Sequence, residues 1–376
     1  MILGCVNVIA DEMNPARVAA LRLGMGEAMT AFTVQINCGS GMQSIDTAYR
    51  YIREGAADLI LAGGAESLSH APLVFSRSAV NWYARLFAAH GIGARLAAFL
   101  GFRPSFLTPV IGLERGLTDP ITELNMGQTA ELVAHLFHVT RRQADEYAAE
   151  SQLRLATAQK NNYFADEIEP AFARDGTLFD HDDGVRPDSN ADALAKLRPA
   201  FERPWGKVTP GNSSQITDGA SWVILASEEA LLAHKLTPKA VIVDSEWSAL
   251  DPSVMGLGPC FCSTAILKRH QLALNDIELW ELNEAFAAQV LGCLAAWEDD
   301  EFCRDALRLP GAAGKIPRDR LNIDGGAIGV GHPVGASGNR IVLHLVNAMR
   351  RLGYKRGIAT ECIGGGQGGA MLIQMM

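Results

Sequence analysis

Apolar residues along this chain follow two rhythms. Short unbroken runs alternate with stretches where apolar positions recur every three or four residues. "FTVQIN" at 32–37 is such a run and predicts a strand. "GMQSIDTAYRYIREG" follows, with Met42, Ile45, Ala48, Tyr49 and Ile52 at helical spacing and Gly55 to end it, so it predicts a helix. "ADLILAGG" then predicts a buried strand at 59–62, closed by glycines. Parallel strands joined by a helix, with apolar runs rather than alternation, imply a sheet covered on both faces.

The plan returns near the end of the chain. A strand is expected to reach Ile323, followed by a glycine-rich loop, a helix at about 336–351, a strand at 357–360, another glycine loop and a last strand at 370–374. "CGSGMQSI…YIREGAADLILAGG" and "VGASGNRI…MRRLGYKRGIAT" are alike enough to suggest an internal duplication into two α/β halves. Between them, 67–205 has another texture and reads as an excursion from the first half. It opens apolar and basic, passes through the helical "TAELVAHLFHVTRRQADEYAAESQLRLATAQKNN" and ends acidic and turn-rich. Strand character resumes at 221–226, and the halves are expected to divide as 1–236 and 237–376.

Composition narrows the function. At 376 residues the chain exceeds one ordinary core, and 48% apolar with 20% charged residues excludes a disordered chain. A net charge of −9 argues against nucleic acid as a partner. The seven cysteines are odd in number and contain no C-x-x-C pair, and no basic leader precedes them. This pattern points to free thiols in a reducing compartment, cytoplasmic or, in a eukaryote, mitochondrial, and away from a zinc site. Cys260 and Cys262 read as small buried residues. No apolar run reaches the ~20 residues that span a bilayer.

Four places could carry chemistry. Cys38 stands where a strand meets a helix N-terminus, where unpaired N–H groups favour a thiolate; a buried structural thiol is the alternative. His332 sits in "GGAIGVGHPVGASG", a glycine-rich turn that could present it to a ligand. Cys362 precedes three glycines in "TECIGGGQGG", whose N–H groups could face an anion. Asn283 and Glu284 enter a helix in "ELWELNEAF", as oxyanion donors or as an ordinary cap and first-turn acid. All lie at strand ends, where ligand sites of open α/β sheets gather.

"NCGSGMQS", "NEAFAAQ", "GGAIGVGHPVGASGNR" and "CIGGGQGGA", in this order, resemble the motif set of the thiolases, and the resemblance extends over the whole chain. It implies a duplicated five-layer αβαβα fold with a loop-domain excursion. It also implies thiolytic cleavage of 3-ketoacyl-CoA by CoA, with CoA thioesters as ligands and no cofactor or metal, since CoA is a substrate. By the same resemblance Cys38 is the acylated nucleophile, His332 its base, Cys362 the second acid/base and Asn283 the holder of a water in one oxyanion hole. The backbone N–H groups of Cys38 and Gly364 form the other hole. Ser214, Met126, Met255 and Phe286 match positions along the acyl and pantetheine channel. A homodimer or homotetramer is implied.

Two departures stand out. Thiolases carry a first strand and helix, roughly 50 residues and more than one βαβ unit, before the segment matching "ILGCVNV". Either the start lies upstream of Met1 or the first half lacks this strand and helix, and a chain without them is expected to fold poorly alone. The excursion also holds a stretch, Ser67 to Leu113, without a single acidic residue. Within 77–106, Gly91 and Gly93 split a basic apolar segment into two short helices. These suit a membrane surface, a partner such as the α-subunit of a fatty-acid oxidation complex, or a cover over the acyl tunnel. Such an excursion is similar to that of long-chain thiolases, the β-subunits of those complexes. That group often has His in place of Asn283, which leaves a biosynthetic acetoacetyl-CoA thiolase, or a non-catalytic CoA- or lipid-binding relative, as alternatives.

Overall fold

The computed structural model describes residues 1–173 and 175–376. Two four-stranded mixed sheets carry the fold. The first contains β1 (Ile2–Gly4), β2 (Phe32–Val34), β3 (Leu59–Ser67) and β4 (Asp218–Ala226), ordered β2-β1-β3-β4. β1 is parallel to both neighbours, and β4 is antiparallel to β3. The second contains β5 (Ala240–Ala249), β6 (Leu279–Leu282), β7 (Arg356–Ile363) and β8 (Gln367–Met375), ordered β6-β7-β8-β5. Here β6 and β7 are parallel, and β8 is antiparallel to β7 and β5. Each sheet thus has a parallel pair followed by an antiparallel strand. The second carries β5 beyond that strand, whereas the first ends on β4, with Ile224 exposed.

The principal helices are α1 (Pro15–Arg22), α2 (Ser40–Arg53), α3 (Arg77–Ala88), α4 (Ile92–Leu100), α5 (Met126–Leu136), α6 (Arg141–Lys160), α7 (Gly258–Arg269), α8 (Ala287–Glu298) and α9 (Val334–Leu352). α2 and α9 lie between the sheets. Met42, Ile45 and Ala48 of α2 and Ile341, Leu345 and Ala348 of α9 share one buried cluster with Ile60 and Ala62 of β3 and with Ala359 and Met371 of β7 and β8. Neighbouring residues in those strands, Ile358 and Leu372, point the other way into a second cluster, with Ile266 of α7 and Val290 and Trp297 of α8. α1 covers the outer face of the first sheet through Ala16, against Leu3 and Cys5. The layers are therefore αβαβα.

Several expected elements form with different limits. β2 stops at Val34 rather than continuing to Asn37. Asn37 takes a left-handed φ of 46°, and Ser40 Oγ accepts the Ile36 N–H, so the chain turns directly into α2. The strand expected to end at Ile323 is reduced to one bridge between Leu321 and Trp280. Asn322, at φ 46°, breaks it. Its side-chain amide instead pairs with the N–H and C=O of Leu282, both at 2.8 Å, as a neighbouring strand would. The long helical stretch of the excursion divides into α5 and α6, each opened by a capping box, on Asn125 and Thr140. α3 and α4 part at Gly91, φ 85°.

α2 and α9 approach backbone to backbone near their N-termini. A Cβ on Gly41 would lie 2.7 Å from Asn339 N and 3.0 Å from Ala336 O. One on Gly338 would lie 2.6 Å from Met42 N, and one on Gly64 of β3 would lie 2.1 Å from Gly335 O. Glu66 clasps the same corner, accepting from Val6 N at 3.0 Å, Asn7 N at 2.9 Å and Gly335 N at 3.0 Å. Since the obstacles are main-chain atoms, Gly41→Ala should force the helices apart. The expected cost is about 2 kcal/mol of stability, read as a lowered denaturant midpoint, with activity falling in the soluble fraction.

Candidate active site

The N-terminal ends of α2 and α9 bring the site together. Cys38 stands two residues ahead of α2, half-buried, between Asn37 and Gly39. Asn37 Nδ2 donates to Gly364 O at 2.7 Å, tying this elbow to the turn after β7. Gly39 lies against Ile363, and a Cβ there would meet Ile363 Cδ1 at 2.5 Å. Cys362 lies inside β7, which runs to Ile363 rather than ending at 360 as expected, and is buried. It packs with Met255, Ala285, Met126 and Phe286. Three residues expected along the acyl channel thus line the second cysteine. Ser214 joins them through its backbone, its N–H donating to Ala285 O at 3.0 Å.

His332 lies just ahead of α9 and is buried. Its N–H donates to Gln215 O at 3.0 Å, so the strand-like segment carrying Ser214 also holds the histidine. Its Nδ1 is 2.6 Å from Ser337 Oγ, which donates its own proton to Pro333 O at 3.2 Å. Ser337 must therefore accept from Nδ1–H, which leaves Nε2 as the bare, basic nitrogen. Asn283 is buried, with its N–H bonded to Thr360 O, and Phe286 rather than Asn283 caps α8. Its amide nitrogen stands 3.5 Å from both ring nitrogens of His332, a loose contact, and its Oδ1 has no protein partner among the described residues.

The neighbouring Glu284 turns away and is structural. It accepts from Tyr147 Oη at 2.8 Å, Ser151 Oγ at 2.6 Å, Asn322 Nδ2 at 3.0 Å and Ile328 N at 3.3 Å. Those bonds anchor the loop that leads to His332. Sequence reasoning missed Ser337, Gln215, Asn322 and Glu66. Ser337, in the first turn after the His-Pro pair, was the one with a local signal.

Residues 1–229 match the thiolase N-terminal domain, and residues 236–375 match the thiolase C-terminal domain. The chain belongs to the thiolase family. It is 38% identical to a beta-ketoadipyl-CoA thiolase of Pseudomonas aeruginosa, over all of this chain and 86% of that one. It is 35% identical to the mitochondrial trifunctional enzyme subunit beta of Bos taurus, over all of this chain and 78% of that one. The crystal structure of human mitochondrial 3-ketoacyl-CoA thiolase superposes with a TM-score of 0.84 at 36% identity, covering all of this chain and 87% of that one. As a thiolase it is an acyltransferase that acts on CoA thioesters.

The electrostatics of this thiolase depart from a resting thiolate. Burial pushes the Cys38 thiol up to about 12, although the N–H groups of Gly364 and of Cys38 itself face the sulfur and pull it down; Glu361 pushes it further up. Burial, with Arg340 assisting, pushes His332 down to about 4. Cys362 is raised well above the usual thiol range by burial and then by Cys38. The helix-end potential does not outweigh burial, so both the Cys38 thiol and the His332 imidazole are neutral at neutral pH. Alkylation of Cys38 by iodoacetamide, followed by peptide mass analysis, should therefore rise about tenfold per pH unit from roughly pH 7 to 9 without levelling, because only the thiolate reacts. Ser337→Ala removes the acceptor that sets the His332 tautomer. It should lower kcat at least about tenfold with KM nearly unchanged, since base strength and aim change but substrate contacts do not.

Proposed function

We propose that this thiolase cleaves medium- and long-chain 3-ketoacyl-CoA with CoA, releasing acyl-CoA and acetyl-CoA, as in fatty-acid β-oxidation. The observation that carries the reading is the pairing of two neutral thiols beside an apolar wall, with a neutral imidazole held next to Asn283 at the N-terminal end of α9. As substrate binds, Cys38 attacks the 3-keto carbon while His332 Nε2 takes the thiol proton. The resulting oxyanion lies at the backbone N–H groups of Cys38 and Gly364, which already face the sulfur. Collapse breaks the C2–C3 bond, leaving an acyl thioester on Cys38 and the enolate of acetyl-CoA.

The enolate oxygen is held by protonated His332 and by a water on the Asn283 amide, whose Oδ1 has no protein partner among the described residues. Cys362 donates its proton to the enolate carbon; its high pKa keeps that proton in place until a much stronger base forms. The Cys362 thiolate next takes the proton of an incoming CoA thiol, and the CoA sulfur attacks the acyl-enzyme. Cys38 leaves and recovers its proton from His332. No step calls for a bound cofactor or metal. A homodimer or homotetramer is the assembly proposed.

Met126, Met255, Ala285 and Phe286 supply apolar surface and no cation. They favour an aliphatic acyl chain over the dicarboxylate named for the Pseudomonas aeruginosa relative. Initial rates with four-carbon, sixteen-carbon and 3-ketoadipyl thioesters test this. kcat/KM should be at least about tenfold higher for the sixteen-carbon substrate, since each buried methylene contributes ~0.8 kcal/mol. Activity confined to the four-carbon substrate would point to a biosynthetic acetoacetyl-CoA thiolase, and preference for 3-ketoadipyl-CoA would place the polar end of the substrate elsewhere. Turnover surviving Cys38→Ala would refute the nucleophile.

A further inference from the structure

The contact with α9 holds only one side of α2. Another side faces the second sheet, and there a tryptophan meets an acid. Trp247 of β5 is the register partner of Gly369 of β8, and a Cβ on Gly369 would lie 2.7 Å from the indole ring. With no side chain in the way, the ring reaches the segment that carries Cys38. A Cβ on Gly39 would stand 3.1 Å from Trp247 Cζ3 and 2.5 Å from Ile363 Cδ1. The indole and the Ile363 side chain thus close on one glycine. Gly39 follows Cys38 in the chain, and Ile363 follows Cys362.

The ring is tethered from the α2 side. Trp247 Nε1 donates to Asp46 Oδ2 at 3.2 Å. Asp46 stands in the second turn of α2 and is only 2% exposed. Its carboxylate also accepts from Ser245 Oγ, two residues before Trp247 and on the same face of β5. Arg50 Nε donates to it at 2.9 Å from the next turn. The apolar residues of α2, Met42, Ile45 and Ala48, bury area without fixing direction. A buried carboxylate is costly unless its hydrogen bonds are made, and those bonds have set lengths and angles. Asp46 therefore commits α2 to one rotation and one position over β5.

We infer that Trp247 and Asp46 are positioning residues for Cys38. The acid sets α2 against β5, and the edge of the indole backs Gly39, so the elbow cannot swing away from the turn after β7 to which Asn37 ties it. Both act through the backbone of the elbow rather than on the reacting atoms. The inference rests on Cys38 as the residue that is acylated, and the experiment separates the two.

The rate of Cys38 acylation by an acyl-CoA, read by rapid quench and peptide mass analysis beside steady-state kinetics, tests it. Trp247→Leu removes the ring edge. It should slow acylation and lower kcat about tenfold or more with KM within about twofold, because the nucleophile is displaced and substrate contacts are not. Trp247→Phe keeps a ring against Gly39 and should recover most of the rate, to within about threefold of wild type. Asp46→Ala should slow acylation about fivefold, and less than that when added to Trp247→Leu, because the two side chains act as one unit. Circular dichroism and a denaturant midpoint give the folded fraction, and each rate is taken per folded molecule. A folded Trp247→Leu variant that acylates Cys38 at the wild-type rate overturns the inference, whatever its loss of stability. So does a variant in which KM alone rises, since the indole would then be a substrate contact. Wild-type enzyme acylated elsewhere than on Cys38 would instead defeat the reading of the nucleophile.

Discussion

The close approach of α2 to α9 is the constraint on which the site depends. Both helices are flanked by sheets, so their separation sets the thickness of the middle layer. Glycines at 41 and 338 remove the side chains that would hold the two backbones apart, and glycines at 64 and 335 let α9 close on the first sheet. Cys38 precedes one helix and His332 the other, so the same contact brings the proposed nucleophile and base to one corner. Glu66 clasps that corner through three backbone N–H groups, its carboxyl raised by burial even as they stabilise its charge. Catalysis by positioned groups tolerates little displacement, which is why a residue without a side chain can matter as much as the cysteine.

The second consequence is protonic. A helix N-terminus ahead of α2 suggests an activated thiolate, yet depth of burial prevails and the proton stays on sulfur. Depressed to about 4, His332 is free to receive it. Ser337 then decides which ring nitrogen does so. The site therefore separates charge only when substrate arrives, with N–H groups of Cys38 and Gly364 already turned toward the reacting sulfur. Cys362, also protonated at rest, holds a proton that the proposed mechanism gives to the departing carbon.

Much of this was legible in the sequence because the chemistry sits in contiguous motifs. Helical spacing of Met42, Ile45, Ala48 and Ile52 located α2 to within a residue or two, and the motifs singled out Cys38, Asn283, His332 and Cys362, although Cys362 lies inside β7 and the strand expected before the His332 loop is a single bridge. The illegible parts depend on distant partners. Asn322 looked like part of a strand, but its side chain substitutes for one by pairing with Leu282, 40 residues away. Nothing local shows that Glu284 serves the His332 loop while Asn283 faces the histidine. Along α9 the apolar rhythm is interrupted by buried His344, which meets Glu167 at 3.0 Å across 177 residues of chain. A helix enclosed by two sheets need not be polar on any outer face, so periodicity alone cannot reveal its partners.

The central claim is that Cys38 carries the acyl group and His332 removes its proton. Intact-protein and peptide mass spectrometry after mixing with an acyl-CoA, in the absence of free CoA, tests it directly, because the half-reaction leaves the acyl group on the enzyme. The account predicts one acyl group, on the Cys38 peptide, appearing rapidly in the wild type and slowed about a hundredfold or more in His332→Ala. An acyl group on Cys362 or another cysteine instead, or unchanged acylation of Cys38 in that variant, would contradict it.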